Sequence, residues 1–119
     1  MKRISFIIIL LLLSILGRAQ SMAEHYYFRN LSIENGLSQN TVNTIIKDKE
    51  GFMWFGTKDG LNRYDGLSIR RFKHDPDNKY SIGNNFIKYL HEASSGQIWV
   101  GTDAGLYMYI PEKEYFEHF

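Results

Sequence analysis

The chain has no cysteine among its 119 residues. That absence excludes a disulfide framework, a thiolate zinc site, a cysteine nucleophile and a lipoprotein anchor. Catalytic signatures are missing as well: there is no G-x-S-x-G, no Walker loop and no H-E-x-x-H. The histidines, His25, His74, His91 and His118, stand at no metal-binding spacing. Asp75-Pro76-Asp77-Asn78 has half the look of a calcium loop, without its glycine or distal glutamate, and reads as a solvated loop. No catalytic, cofactor-binding or metal-binding residue is therefore assigned, and no cofactor is expected. Charge of one sign is lacking too, the formal net charge being +1. With 44% hydrophobic and 23% charged residues, the composition is not that of a disordered chain.

Only one long apolar run is present. Lys2 and Arg3 precede Ile4 to Leu16, broken only by Ser5 and Ser14, and Gly17-Arg18-Ala19 follows. A basic start, a short apolar core and small residues at −3 and −1 describe a secretory signal peptide, with cleavage after Ala19 and a second option near Ser21 and Ala23. The run is short for a membrane span, which needs roughly 20 apolar residues. Cleavage after Ala19 removes three of the 14 basic residues and none of the 13 acidic ones, leaving a net charge of −2. A slightly acidic exported chain argues against a nucleic-acid partner.

The remainder repeats itself. A shift of 45 places Asn40 on Asn85, Gly51 on Gly96, Trp54 on Trp99, Gly56 on Gly101 and Thr57 on Thr102. It also places Gly60 on Gly105, Leu61 on Leu106 and Tyr64 on Tyr109. The unit reads G-x-x-W-x-G-T-x-x-G-L-x-x-Y. Thr41 to Ile46, Phe52 to Thr57, Leu61 to Tyr64 and Leu67 to Lys73 are predicted strands of an antiparallel meander, separated by Gly-containing turns. Alternation puts Met53 and Phe55 on one face, Phe52 and Trp54 on the other. A sheet apolar on both faces needs a neighbour on each side. Four-stranded units of this length stacked around an axis are the blades of a β-propeller.

The expected fold is therefore all-β: an incomplete propeller after a signal peptide. Residues 1–19 are the signal. Residues 20–39 hold a lone outer strand, Tyr26 to Ser32, and a connecting loop. Tyr27 precedes Asn40 by the interval at which Phe72 precedes Asn85, and Leu37 stands where Ile82 does. Residues 40–84 are one blade and 85–119 an incomplete second. Two blades do not close a ring, which takes 4–8. The alternative is a small two-sheet sandwich complete in itself. Because the tryptophans recur at equivalent places, they read as packing between blades; a ligand site would be unique within the ring.

Gly51 to Gly66, G-F-M-W-F-G-T-K-D-G-L-N-R-Y-D-G, resembles the two-component regulator propeller repeat. Leu31 to Val42, L-S-I-E-N-G-L-S-Q-N-T-V, is similar to the start of sensors of that family. The second copy departs from the pattern at Ala104 and at Ile110-Pro111. The resemblance implies the periplasmic sensor of a hybrid two-component histidine kinase. It implies an oligosaccharide ligand, a homodimer at full length, and membrane attachment only through parts outside these residues. It implies no catalysis in this segment. The alternatives are a piece of an exported propeller enzyme acting on glycans and an extracellular interaction scaffold.

Overall fold

The structure, a computed structural model, describes residues 5–12 and 31–119. Residues 5–12 form a short helix whose apolar side chains are exposed. Among the described residues, no helix is long and apolar enough to cross a membrane. The cleavage site after Ala19 and Tyr26 to Asn30 of the lone outer strand lie outside the described residues. Leu31 and Ser32 are not in a strand, and a single 3-10 turn follows at Ile33–Asn35.

Among the described residues, eight strands make two antiparallel sheets. The first holds β1 (Val42–Lys47), β2 (Met53–Thr57), β3 (Gly60–Tyr64) and β4 (Ile69–Phe72), paired in that order. The second holds β5 (Ile87–Glu92), β6 (Ile98–Thr102), β7 (Gly105–Ile110) and β8 (Tyr115–His118), again in order. Both first strands carry an irregularity at one equivalent place, between Val42 and Thr44 and between Ile87 and Tyr89. The sheets meet face to face, β5 lying against β1 and β2. They are two blades of an open propeller.

The recurring G-T-x-x-G has a local cause. Thr57 Oγ1 donates to the Gly60 carbonyl (2.9 Å) and accepts from Asp59 N (3.0 Å). Thr102 does the same with Gly105 (2.8 Å) and Ala104 N (3.2 Å). One hydroxyl thus ties both sides of a tight turn, and Gly60 (φ +128°) and Gly105 (φ +127°) supply the left-handed residue it needs.

Two expectations need correction. The second blade, expected to be incomplete, has all four strands. The turn Asp65–Ser68 is replaced by Pro111–Glu114, which closes through Glu114 N to the Ile110 carbonyl (2.8 Å), with Glu114 at φ +53°. Register shows the change in length: Ile69 pairs with Tyr64, but Phe116 pairs with Tyr109, two residues further on. The outer strand of the first blade starts at Ile69, later than Leu67. Asp65 Oδ1 takes the amides of Leu67 and Ser68 (both 2.8 Å), so those residues belong to the turn. These two bonds hold the Asp65 carboxyl below its usual range.

The core lies between the sheets. Trp54, Leu61 and Phe72 from the first face Ile98, Val100, Tyr107, Tyr109 and Phe116 from the second, with Ile82 and Ile87 closing it. Leu37 and Ile82, at equivalent places before each blade, are both buried.

Candidate functional site

The joint between the blades opens into a cleft of about 310 Å³ at the end formed by the β1–β2 and β5–β6 turns. Its construction starts at Asp48. The turn Asp48–Gly51 closes through Gly51 N to the Asp48 carbonyl (3.1 Å) and Asp48 N to the Phe52 carbonyl (2.9 Å). The Asp48 carboxylate then reaches in two directions. Oδ1 accepts from Phe52 N (2.9 Å) and Oδ2 accepts from the Trp54 indole N–H (2.7 Å). The indole is thereby fixed edge-on with its polar atom satisfied, as a buried tryptophan requires.

The second blade completes the cleft. Tyr109 sets its ring against Trp54 (centroids 5.1 Å apart) and Phe72 (5.3 Å). Arg63, beside Trp54 on β3, lies with its guanidinium 4.7 Å from the Phe52 ring centroid and 5.7 Å from that of Trp54. Its Nη1 donates to Tyr109 Oη (3.2 Å). Burial pushes the Tyr109 hydroxyl above its ordinary value, with Arg63 pulling the other way. Lys49 N donates to Glu92 Oε2 (2.9 Å), and the Lys49 ammonium donates to the Ser94 carbonyl. Asn43 Nδ2 donates to the Ile87 carbonyl (2.9 Å). Glu50, Glu92 and Glu112 complete the mouth.

Chemically, this is an aromatic floor with one guanidinium, ringed by carboxylates and backbone. Such a surface offers charged hydrogen-bonding groups for hydroxyls above a packed aromatic floor, Trp54 and Tyr109 being each 1% exposed. Among the described residues, no group of three or more His, Cys, Asp or Glu side chains is placed to hold a metal ion.

The repeat-motif residues fall in different places. Trp54 is 1% exposed inside the joint, while Trp99, on the outer face of the second sheet, is half-buried against Phe119 (centroids 5.0 Å). Gly51, Gly60, Gly96 and Gly105 sit in turns at positive φ, and Gly56 and Gly101 are mid-strand. Thr57 is buried and Thr102 half-buried. Leu61 is fully buried, whereas Leu106 is exposed. Tyr64 donates to the Gly66 carbonyl (2.8 Å) on the face opposite Trp54; Tyr109 enters the joint. Of the motif, the structure thus brings Trp54, Gly96 and Tyr109 to the cleft. Asp48, Phe52, Arg63 and Glu92 were not singled out from sequence. The signal that would have found them is departure from the repeat, for Asp48, Lys49 and Arg63 correspond to Ala93, Ser94 and Met108.

Residues 36–59 and 81–104 each match the family described as two component regulator propeller. These are two-component regulator propeller repeats. Each match starts just before a first strand and ends in the Thr-pinned turn. The chain is 37% identical over 76 residues to Histidine kinase P4 of Formosa agariphila, covering 64% of this chain and 5% of that protein. Among solved structures, the extracellular domain of a hybrid two component system from B. thetaiotaomicron is 34% identical, with a TM-score of 0.71, covering 80% of this chain and 14% of that one. The extracellular domain of a one component system from the same organism shares the fold, with a TM-score of 0.64 at 23% identity, over 82% of this chain and 14% of that one. The propeller repeats described here therefore span a small part of the proteins they match.

Proposed function

We propose that this chain is a ligand-sensing portion of a hybrid two-component regulator, exported to the periplasmic side and without catalysis of its own. The observation that carries the reading is a pair of consecutive propeller repeats in a chain similar to the extracellular domain of a hybrid two component system. Histidine kinase activity belongs to parts of the full protein beyond these residues, and the full protein works as a homodimer. The ligand class is an oligosaccharide. The inter-blade cleft suits hydroxyl-rich molecules, because it sets the half-buried Phe52 ring beside the Arg63 guanidinium and the carboxylates of Glu50, Glu92 and Glu112. Binding signals only if the ligand has different affinity for two states of the dimer, since a ligand binding both equally shifts nothing.

The test is calorimetric titration of the full extracellular portion with a panel of purified oligosaccharides, followed by a transcriptional reporter in cells carrying the full-length gene. One structural class of oligosaccharide is expected to bind and to switch the reporter. Absence of binding across the panel, with a reporter blind to every sugar, would overturn the reading.

A further inference from the structure

The inter-blade cleft holds two cations, and the protein already engages both. The half-buried Arg63 lays its guanidinium 4.7 Å from the Phe52 ring centroid and 5.7 Å from that of Trp54, and its Nη1 donates to Tyr109 Oη (3.2 Å). The Lys49 ammonium donates to the Ser94 carbonyl of the facing turn. The carboxylates divide differently. Asp48 uses both oxygens, on Phe52 N (2.9 Å) and on the Trp54 indole N–H (2.7 Å). Glu92 gives one oxygen to Lys49 N (2.9 Å). Glu50, in the β1–β2 turn of the first blade, and Glu112, in the β7–β8 turn of the second, are exposed at the mouth. Among the described residues, neither carboxylate has a hydrogen-bond or ion-pair partner.

The free capacity at the mouth is therefore that of acceptors, one from each blade. Four carboxylates against two cations give the lining a formal charge of −2. An ionised carboxylate accepts hydrogen bonds and donates none. It can bond a sugar hydroxyl. It bonds an ammonium more strongly, because a hydrogen bond between charged partners is roughly twice as strong as a neutral one. A carboxylate or sulfate on the ligand meets two glutamates first, while Arg63 is held on the floor among rings.

We propose that the cleft selects its ligand by charge. It takes a sugar ring bearing a free amine ahead of a neutral ring, and it excludes one bearing a carboxylate or a sulfate. Glu50 and Glu112 determine this specificity; Phe52 and Arg63 shape the floor beneath the ring. The inference rests on the reading of this cleft as a sugar site and adds to it the charge class of the sugar.

The probes are glucosamine, N-acetylglucosamine, glucose and glucuronate, one ring in four substitution states. Each is titrated into the full chain at about pH 6, where the sugar amine is charged and carboxylates are ionised. NMR shifts of the Trp54 indole N–H and the Arg63 Nε–H report binding at this cleft alone. Glucosamine is expected to move both signals at concentrations several-fold below glucose. N-acetylglucosamine, which keeps the ring and loses the charge, should follow glucose, and glucuronate should move neither signal. Added salt should weaken the response to glucosamine and leave that to glucose. Glu50→Gln combined with Glu112→Gln, two exposed sites whose change leaves the fold intact, should bring glucosamine to the level of glucose. Glucuronate acting at or below the glucosamine concentration would overturn the proposal. So would an amine preference that survives the double variant, or signals that no sugar moves. Oligosaccharides that switch the reporter of the full-length gene while both cleft signals stay still would overturn this proposal and leave the sensing role standing. Amine-selective shifts with a reporter blind to every sugar would uphold the proposal and remove the sensing role.

Discussion

Thr57 and Thr102 occupy equivalent positions and make equivalent hydrogen bonds, yet their surroundings differ. Thr57 is fully buried, and its hydroxyl also meets Ser38 Oγ at 3.0 Å. Thr102 is half-buried and beside solvent. Removing a buried hydroxyl strands its partners at a cost of about 1–3 kcal/mol, while an exposed partner turns to water instead. Thr57→Val is therefore expected to destabilise the chain by about 1–3 kcal/mol and Thr102→Val by less than about 1 kcal/mol, read from chemical denaturation of the two variants. Equal losses would show that the turns, and not their burial, set the energetics. Single residues also show what sequence reading leaves out. The turn glycines and threonines were legible because each acts within a few positions of its own chain. Asp48 was not, because its partner is an indole six residues away whose direction only the folded turn decides. Arg63 carries no mark of the repeat, because Met108 takes its place in the second copy.

At the scale of strands and sheets, the joint couples the two blades through Tyr109. Its hydroxyl is held above the ordinary tyrosine value by burial, against the pull of Arg63. A group whose folded value is raised contributes its stability below the unfolded value, about 10 for tyrosine, and loses it as pH rises through the folded value. Melting temperature should therefore fall above about pH 10. The fall should be shallower in Tyr109→Phe, a variant expected to lose about 0.5–1.5 kcal/mol at neutral pH with the Arg63 hydrogen bond. Parallel pH curves for the two chains would deny Tyr109 this role. Much of the sheet architecture was legible in the alternation of Phe52 to Phe55 and in the spacing of Gly51, Gly60 and their copies. The fourth strand of the second blade was harder to read. Its turn is built from Pro111 and Glu114 instead of Asp-Gly, and its two extra residues carry Phe119 out of the 45-residue frame.

For the molecule as a whole, two blades share a continuous aromatic core, and the cleft above it is made by both. Trp54 contributes to stability and cleft alike: its rings support Arg63 while its edge is tied to Asp48. The sensing role proposed here depends on that joint, since neither sheet alone has the cleft. The most direct test is a proton NOE spectrum of the full chain with assigned aromatic and methyl resonances. The account predicts cross-peaks from the Trp54 indole to the Tyr109 ring, and from Gly56 Hα to an Ile87 methyl. Cross-peaks from Trp54 confined to residues of its own sheet would contradict the stacked arrangement, and with it the cleft and the sensing role built on it.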